Sequence, residues 1–473
     1  MHRILSCRTL TQRQKLESEY GTRFTVLSTL PYFDAVRMTV VDPMHNLFLG
    51  TSKKMLKIWK SQELLTKANI VEVQSRLDKC SCPNDVGRLP SKLHDVSMDV
   101  LTADELKNWT ILFSLFALKG LLPQKHYDCW KTFVLASYYM CNRALSATDL
   151  PVIDHLLLKF CREFELLYGS DLVTPNMHLH GHLLECLKDF GPVYNFWLFS
   201  FERYNGILGS RPTNKKDIEV QIMSRFSRDQ CALNIPFPHR HQQQFEEVMR
   251  LMEINNQQRG EIGTPHQNIN LVSLSSRCTD YTKVKWYSTE GIVTSSIMKV
   301  HLLSETHYRC ISGMYSDIYS DYDIEAISRS CWKFSDVSFE CVTYGSYDSR
   351  SFQSSYVLSY WCGVGGSIQS HESMYIQPRP GRIMFFVKHS ITVKGRIYEH
   401  YLAFVEWFLH APTTLQSIYP KPIQVFDGSF FEPNASASFI PIQRLKCKFV
   451  HARETFQSKD CLVVMPRDRF LNI

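Results

Sequence analysis

The side chains best suited to chemistry gather between Thr174 and Ser210, in the string TPNMHLHGHLLECLKDFGPVYNFWLFSFERYNGILGS. Three histidines alternate there, His178, His180 and His182, and further on a single acid, Glu202, stands in an aromatic run. Its neighbours are Phe196, Trp197, Leu198, Phe199, Phe201 and Tyr204, with Arg203 directly beside it. Burying a lone carboxylate costs several kcal/mol, so an acid in so apolar a run must be paired, metal-bound or catalytic. The plainer reading is a Glu202–Arg203 surface pair on a helix whose aromatic face is core, and the sharper one is a catalytic acid. Asp42 and His45 form a second cluster. Asp42 can cap a helix that Pro43 opens, which leaves His45 in the first turn on the side near Asp42. The two have metal-ligand chemistry, and they equally suit a cap with a satisfied neighbour.

Met177–Lys188 reads as a helix, and on it His178 and His182 are four apart and share a face while His180 points elsewhere. Such a pair is half of a tetrahedral Zn²⁺ shell and needs two more ligands, for which Asp42 and His45 are the candidates; two histidines at a helix surface are the alternative. After the Gly191-Pro192 break a second helix runs through Phe201 to Leu208 and carries Glu202. Beyond it come Arg211, Lys215, Lys216, Arg225 and Arg228, which with Arg203 suit contact with phosphates, or else a solvated charged loop.

The elements that must hold these residues differ along the chain. A helix is expected around Gln12–Tyr20 and a short strand at Arg23–Leu27. Val36 to Val41 is rich in β-branched residues and stops at Asp42-Pro43, which predicts a strand; a helix over Met44 to Trp59 follows. Residues 52–170 read as mostly helical, with apolar residues at helical spacing, a Thr102–Glu105 capping box and a helix start at Asp149-Leu150-Pro151. The Pro- and Gly-punctuated stretch Cys80–His94 separates two helical groups. Residues 236–275 give one helix and a polar linker. From about Tyr281 short runs of Val, Ile, Tyr and Phe recur between Gly, Asp and Ser, among them Lys283–Ser288, Ile383–His389, His400–Phe408 and Leu462–Met465. That texture predicts a β-sandwich or partly open barrel.

Composition bounds the function classes. The 473 residues, 44% hydrophobic and 12% aromatic, are those of a packed protein of about three domains. A net charge of +7 permits a groove for an acidic partner without demanding one. Fifteen cysteines occur without a C-x-x-C pair or even spacing, which reads as reduced thiols in the cytosol or nucleus. The most apolar helical run, Trp109 to Pro123, contains Lys119 and is shorter than a membrane span, and the N-terminus has no apolar leader.

Two strings carry a family resemblance. FERYNGILGS after the histidine cluster resembles the third-acid segment of CACTA-type (En/Spm-like) DDE transposases, and VDPMHNLFLGT at Val41–Thr51 resembles the segment that precedes the helical part of those proteins. Together with the spacer they span roughly residues 20 to 230. The resemblance implies α+β architecture: a remnant of an RNase H-like core over residues 1–50, a helical insertion over 51–173, the histidine cluster and third-acid helix over 174–235, the helix and linker over 236–275, and a β-rich domain over 276–473. Arg382–Phe386, Leu402–Phe408 and Phe439–Leu445 resemble the module beside such cores. It further implies two Mg²⁺ ions held by acids for phosphodiester cleavage, with Glu202 as third acid and, in a variant assignment, Asp42 as second, and Zn²⁺ on His178 and His182. The implied partner is DNA at transposon ends, in the nucleus, bound by a protein that can self-associate. The family's first acid lies in an Asp-Gly-Phe-type segment. The second lies in an Asp-x-Pro segment followed by C-x-x-C. The residues before Asp42 hold no Asp-Gly, no C-x-x-C, and only Glu17, Glu19 and Asp34 as acids. The expectation is therefore a truncated or domesticated copy that does not cut DNA alone, or a DNA- or protein-binding module without enzymatic activity.

Overall fold

The computed structural model describes residues 4, 6–7, 9–87, 101–142, 145–210, 212–214, 216–233, 292–294, 298–319, 324–339, 342–359, 361, 368, 378–430 and 435–467. The helix and linker expected over 236–275, the strand at Lys283–Ser288 and the end of the Cys80–His94 stretch lie outside them.

The first half is helical. Thr9 caps α1 (Leu10–Tyr20), and Gly21, at φ 64°, ends it in the left-handed region. The chain then makes a 3-10 turn at Val26–Thr29 and a further turn over Ala35–Met38, so neither strand expected at Arg23–Leu27 and Val36–Val41 forms. The physical reason is the lack of a partner: no described strand precedes Ile292, Val36 is 85% exposed, and β-branched residues cannot hold an extended conformation without a ladder to pair with. Met44–Ser52 winds as a π-helix and continues directly into α2 (Lys53–Ser61). Next come α3 (Lys67–Asp78), opened by a Thr66–Asn69 capping box, and α4 (Ala103–Asn108), opened by the expected Thr102–Glu105 box. The chain runs on through Trp109–Phe113 and Ser114–Ala117 to α5 (Gln124–Met140), α6 (Asp149–Tyr168) and α7 (Pro175–Phe190). Two more helices, α8 (Phe199–Gly209) and α9 (Ile218–Leu233), follow among the described residues. Its core is aromatic: Trp59, Trp130, Phe133, Phe160 and Phe164 are fully buried, and Trp59 Nε1 donates to Tyr168 Oη at 2.9 Å.

The second half supplies β1 (Ile292–Thr294), β2 (Lys299–Leu302), the helix α10 (Glu305–Ile318), β3 (Ile324–Ile327), β4 (Ser330–Phe334), β5 (Asp336–Phe339), β6 (Val342–Gly345) and β7 (Tyr356–Ser359). It continues with the long pair β8 (Arg379–Val393) and β9 (Arg396–His410), then β10 (Gln424–Phe430), β11 (Phe439–Pro441), β12 (Cys447–Phe456) and β13 (Lys459–Pro466). Lys394 and Gly395, both at positive φ, make the two-residue turn between β8 and β9, a geometry whose twist matches that of the strands. The antiparallel pairings β9–β10–β13–β12–β7–β8 return to β9, because β8 also pairs with β9 along its length. Six strands therefore close a ring, where the sequence had suggested a sandwich or a partly open barrel. Leu358, Phe408, Phe426, Cys447, Phe449, Leu462 and Val464 form one buried cluster on these strands. The same strands also present Val425, Val450, Ala452, Cys461, Val463 and Met465 to the helical half, in one continuous core with Phe116, Trp130 and the helices around them. Alternate residues of a strand point to opposite faces, so β10, β12 and β13 serve both cores at once.

Polar contacts seal this junction. Ser81 and His451 exchange backbone hydrogen bonds at 2.8 and 3.1 Å. Asp85 is paired with Lys448 Nζ at 2.8 Å and with Arg467, while Lys448, only 4% exposed, also donates to the Thr343 carbonyl at 2.7 Å. Burial alone would raise the Asp85 pKa, but the two cations outweigh it and hold the carboxyl well below the usual carboxylate range. No helix among the described residues is long and apolar enough to cross a membrane.

Candidate functional site

The Val41–Thr51 string meets the start of the helix that carries the second string. Asp42 caps the π-helix as its position suggested, with Oδ1 accepting from Met44 N at 3.1 Å and Oδ2 from His45 N at 3.0 Å. The same carboxylate reaches across the chain, and Oδ1 accepts from Leu198 N at 2.9 Å, at the residue that opens α8. His45 Nδ1 lies 2.5 Å from Oδ2. Each oxygen thus has two partners, and one carboxylate fastens the starts of two helices. Phe48 lies 6.4 Å from Phe199, ring to ring, and Lys107 sits over Phe199 at 4.9 Å and Trp197 at 5.9 Å.

A second seam joins the π-helix to α7. Asn46 Nδ2 donates to the Asn176 carbonyl at 2.8 Å. Gly50 leaves room for the Asn176 side chain, since a Cβ there would fall on its amide and 2.8 Å from the His45 carbonyl oxygen of the same helix. Thr51 Oγ1 is 3.1 Å from His180 Nε2. His180 faces away from His178 and His182, as its helical phase requires, and is 1% exposed between Phe133 and Phe160. Burial pushes its pKa down to about 3, so it is neutral at physiological pH. A histidine with a depressed folded pKa stabilises the fold fully above its unfolded pKa of about 6.5, and the contribution is lost as pH falls toward 3. The expected loss between pH 7.5 and 5 from His180 is roughly 2 kcal/mol. His400 and His451, each held down to about 4 chiefly by burial, act in the same direction. Denaturant midpoints at both pH values for wild type and His180→Gln check this; an unchanged pH dependence in the variant contradicts it.

The remaining site candidates are placed as follows. His178 and His182 share a face with ring centroids 5.4 Å apart, and His182 Nδ1 is 3.4 Å from Glu185 Oε2. No group of three or more His, Cys, Asp or Glu is placed to hold a metal ion among the described residues. The four-ligand Zn²⁺ site expected from Asp42, His45, His178 and His182 is therefore not assembled. Asp42 Oδ2 is paired with His45 Nδ1, and His178 with His182 makes only a half-shell. Nor does Asp42 fit as a Mg²⁺ ligand, since a hard cation needs carboxylate lone pairs that four donors occupy here. Glu202 lies in the first turn of α8, where an acid favours the helix dipole, and its residue is exposed. The aromatic core face expected for this helix does not form: α8 buries no residue, with Phe201 at 64%, Tyr204 at 59% and Ile207 at 46% exposure. Among the described residues no layer faces its apolar side, so the dilemma of a buried acid does not arise there.

Of the expected phosphate-contacting cations, Arg203 and Lys216 are exposed. Arg225 instead donates from Nη1 to the Pro212 carbonyl and braces the turn before α9. Arg211 and Lys215 lie outside the described residues. Sequence reasoning missed the Asp42–Leu198 tie, the Thr51–His180 pair and the Asp85–Lys448–Arg467 cluster. The caps were readable locally, whereas partners 156, 129 and more than 300 residues away left no local signal. No family model, curated protein or solved structure matches the chain.

Proposed function

We propose that this chain is a transposase-derived protein that holds DNA in the nucleus without cutting it by itself. The observation that carries the reading is the Asp42 carboxylate, which ties the first family-like string to Leu198, the residue that opens the helix carrying the second, and has both oxygens committed to hydrogen bonds. That the first string packs against the start of the helix bearing the second, in the family's order, supports a common origin. The commitment of the acid supports a structural role in place of metal chemistry. Arg203, Lys216 and Arg228, on or beside exposed helices, are cations of the kind that contact phosphates without reading sequence.

Two measurements test this. A supercoiled plasmid incubated with the protein and Mg²⁺ or Mn²⁺ is expected to show no Glu202-dependent nicking; nicking that Glu202→Gln abolishes overturns the non-cutting part. Binding to a fluorescent duplex is expected to weaken with salt, with a slope of log K against log salt of about −3 if three cations meet phosphates. Lys216→Glu should lower affinity about equally across unrelated sequences and make the slope shallower by roughly 1. Absence of binding at low salt overturns the DNA part.

A further inference from the structure

We draw no further inference here: the strongest candidate, the apolar stripe of Phe201, Tyr204 and Ile207 on the exposed side of α8, carries nothing because nothing in the structure shows what covers it.

Discussion

Asp42→Ala is expected to destabilise the protein by about 3 kcal/mol, the sum of two lost helix ties and the buried donors left behind. The Asp42 side chain is 12% exposed and accepts from the backbone of Met44, His45 and Leu198. Alanine removes the cap of the π-helix and the anchor of α8 together. Because Leu198 opens α8, that helix should loosen first, and hydrogen exchange should rise over residues 198–209 before it does in α5 or α6. Asp42→Asn keeps one acceptor oxygen but turns an amide toward the His45 donors, so roughly half the loss is expected. The sign of the effect separates two roles for this acid. A carboxylate kept as a metal ligand repels its fellow acids in the metal-free protein, and its removal stabilises the fold or leaves it unchanged. A tie between helices can only destabilise on removal. Urea melts at neutral pH decide between them, and a midpoint shift with unchanged slope gives the free-energy difference directly.

Asp85→Ala is the second large effect, also about 3 kcal/mol. It leaves Lys448, 4% exposed, and Arg467, 15% exposed, without their shared counterion. Breaking a buried pair from one side costs roughly 3–5 kcal/mol, and the low end applies because Asp85 itself keeps 34% exposure, which screens the interaction. Lys448→Met should cost less, since the aliphatic side chain fills the same space and Arg467 still balances Asp85. In the Asp85→Ala/Lys448→Met double variant much of the loss should be recovered, which a double-mutant cycle reads as coupling. If the two single losses simply add, the cluster is not what joins the helices to the strands. The pH dependence carries its own signature. Asp85 has a depressed carboxyl, so its contribution is complete above an unfolded pKa of about 3.9 and disappears only as pH falls further. The buried histidines lose their contribution earlier, from about pH 6.5 downward. Acid unfolding should therefore begin with the histidine-dependent fall, and Asp85→Ala should leave that first part of the curve in place.

Some features of this protein were determined by the sequence alone. The Thr102–Glu105 box, the cap at Asp42, the start at Asp149 and the end of α7 at Gly191 all involve groups a few residues apart, and the structure has each of them. The runs Ile383–His389 and His400–Phe408 fall inside β8 and β9, although the turn that joins these longer strands was not read. The mixed character, helical first and β-rich after, follows from the same short-range rules. Other features were decided only by tertiary structure. Val36–Val41 has the composition of a strand, yet it turns, because extended backbone needs a ladder and none is provided among the described residues. Helical phase separates His180 from His182 on paper, but only packing against Phe133 and Phe160 makes the first a neutral core residue and leaves the second at the surface. For Glu202 the sequence left open a surface acid and a buried one, and it is exposed, because burial depends on a facing layer that a run of residues cannot supply for itself. Asp42 shows the division most plainly. Its cap was set by Met44 and His45, but its work as a tie was set by Leu198, brought from 156 residues away. The types of chemistry available are written in the residues, while the partners that commit a carboxylate or an imidazole to one of them arrive only when the chain folds.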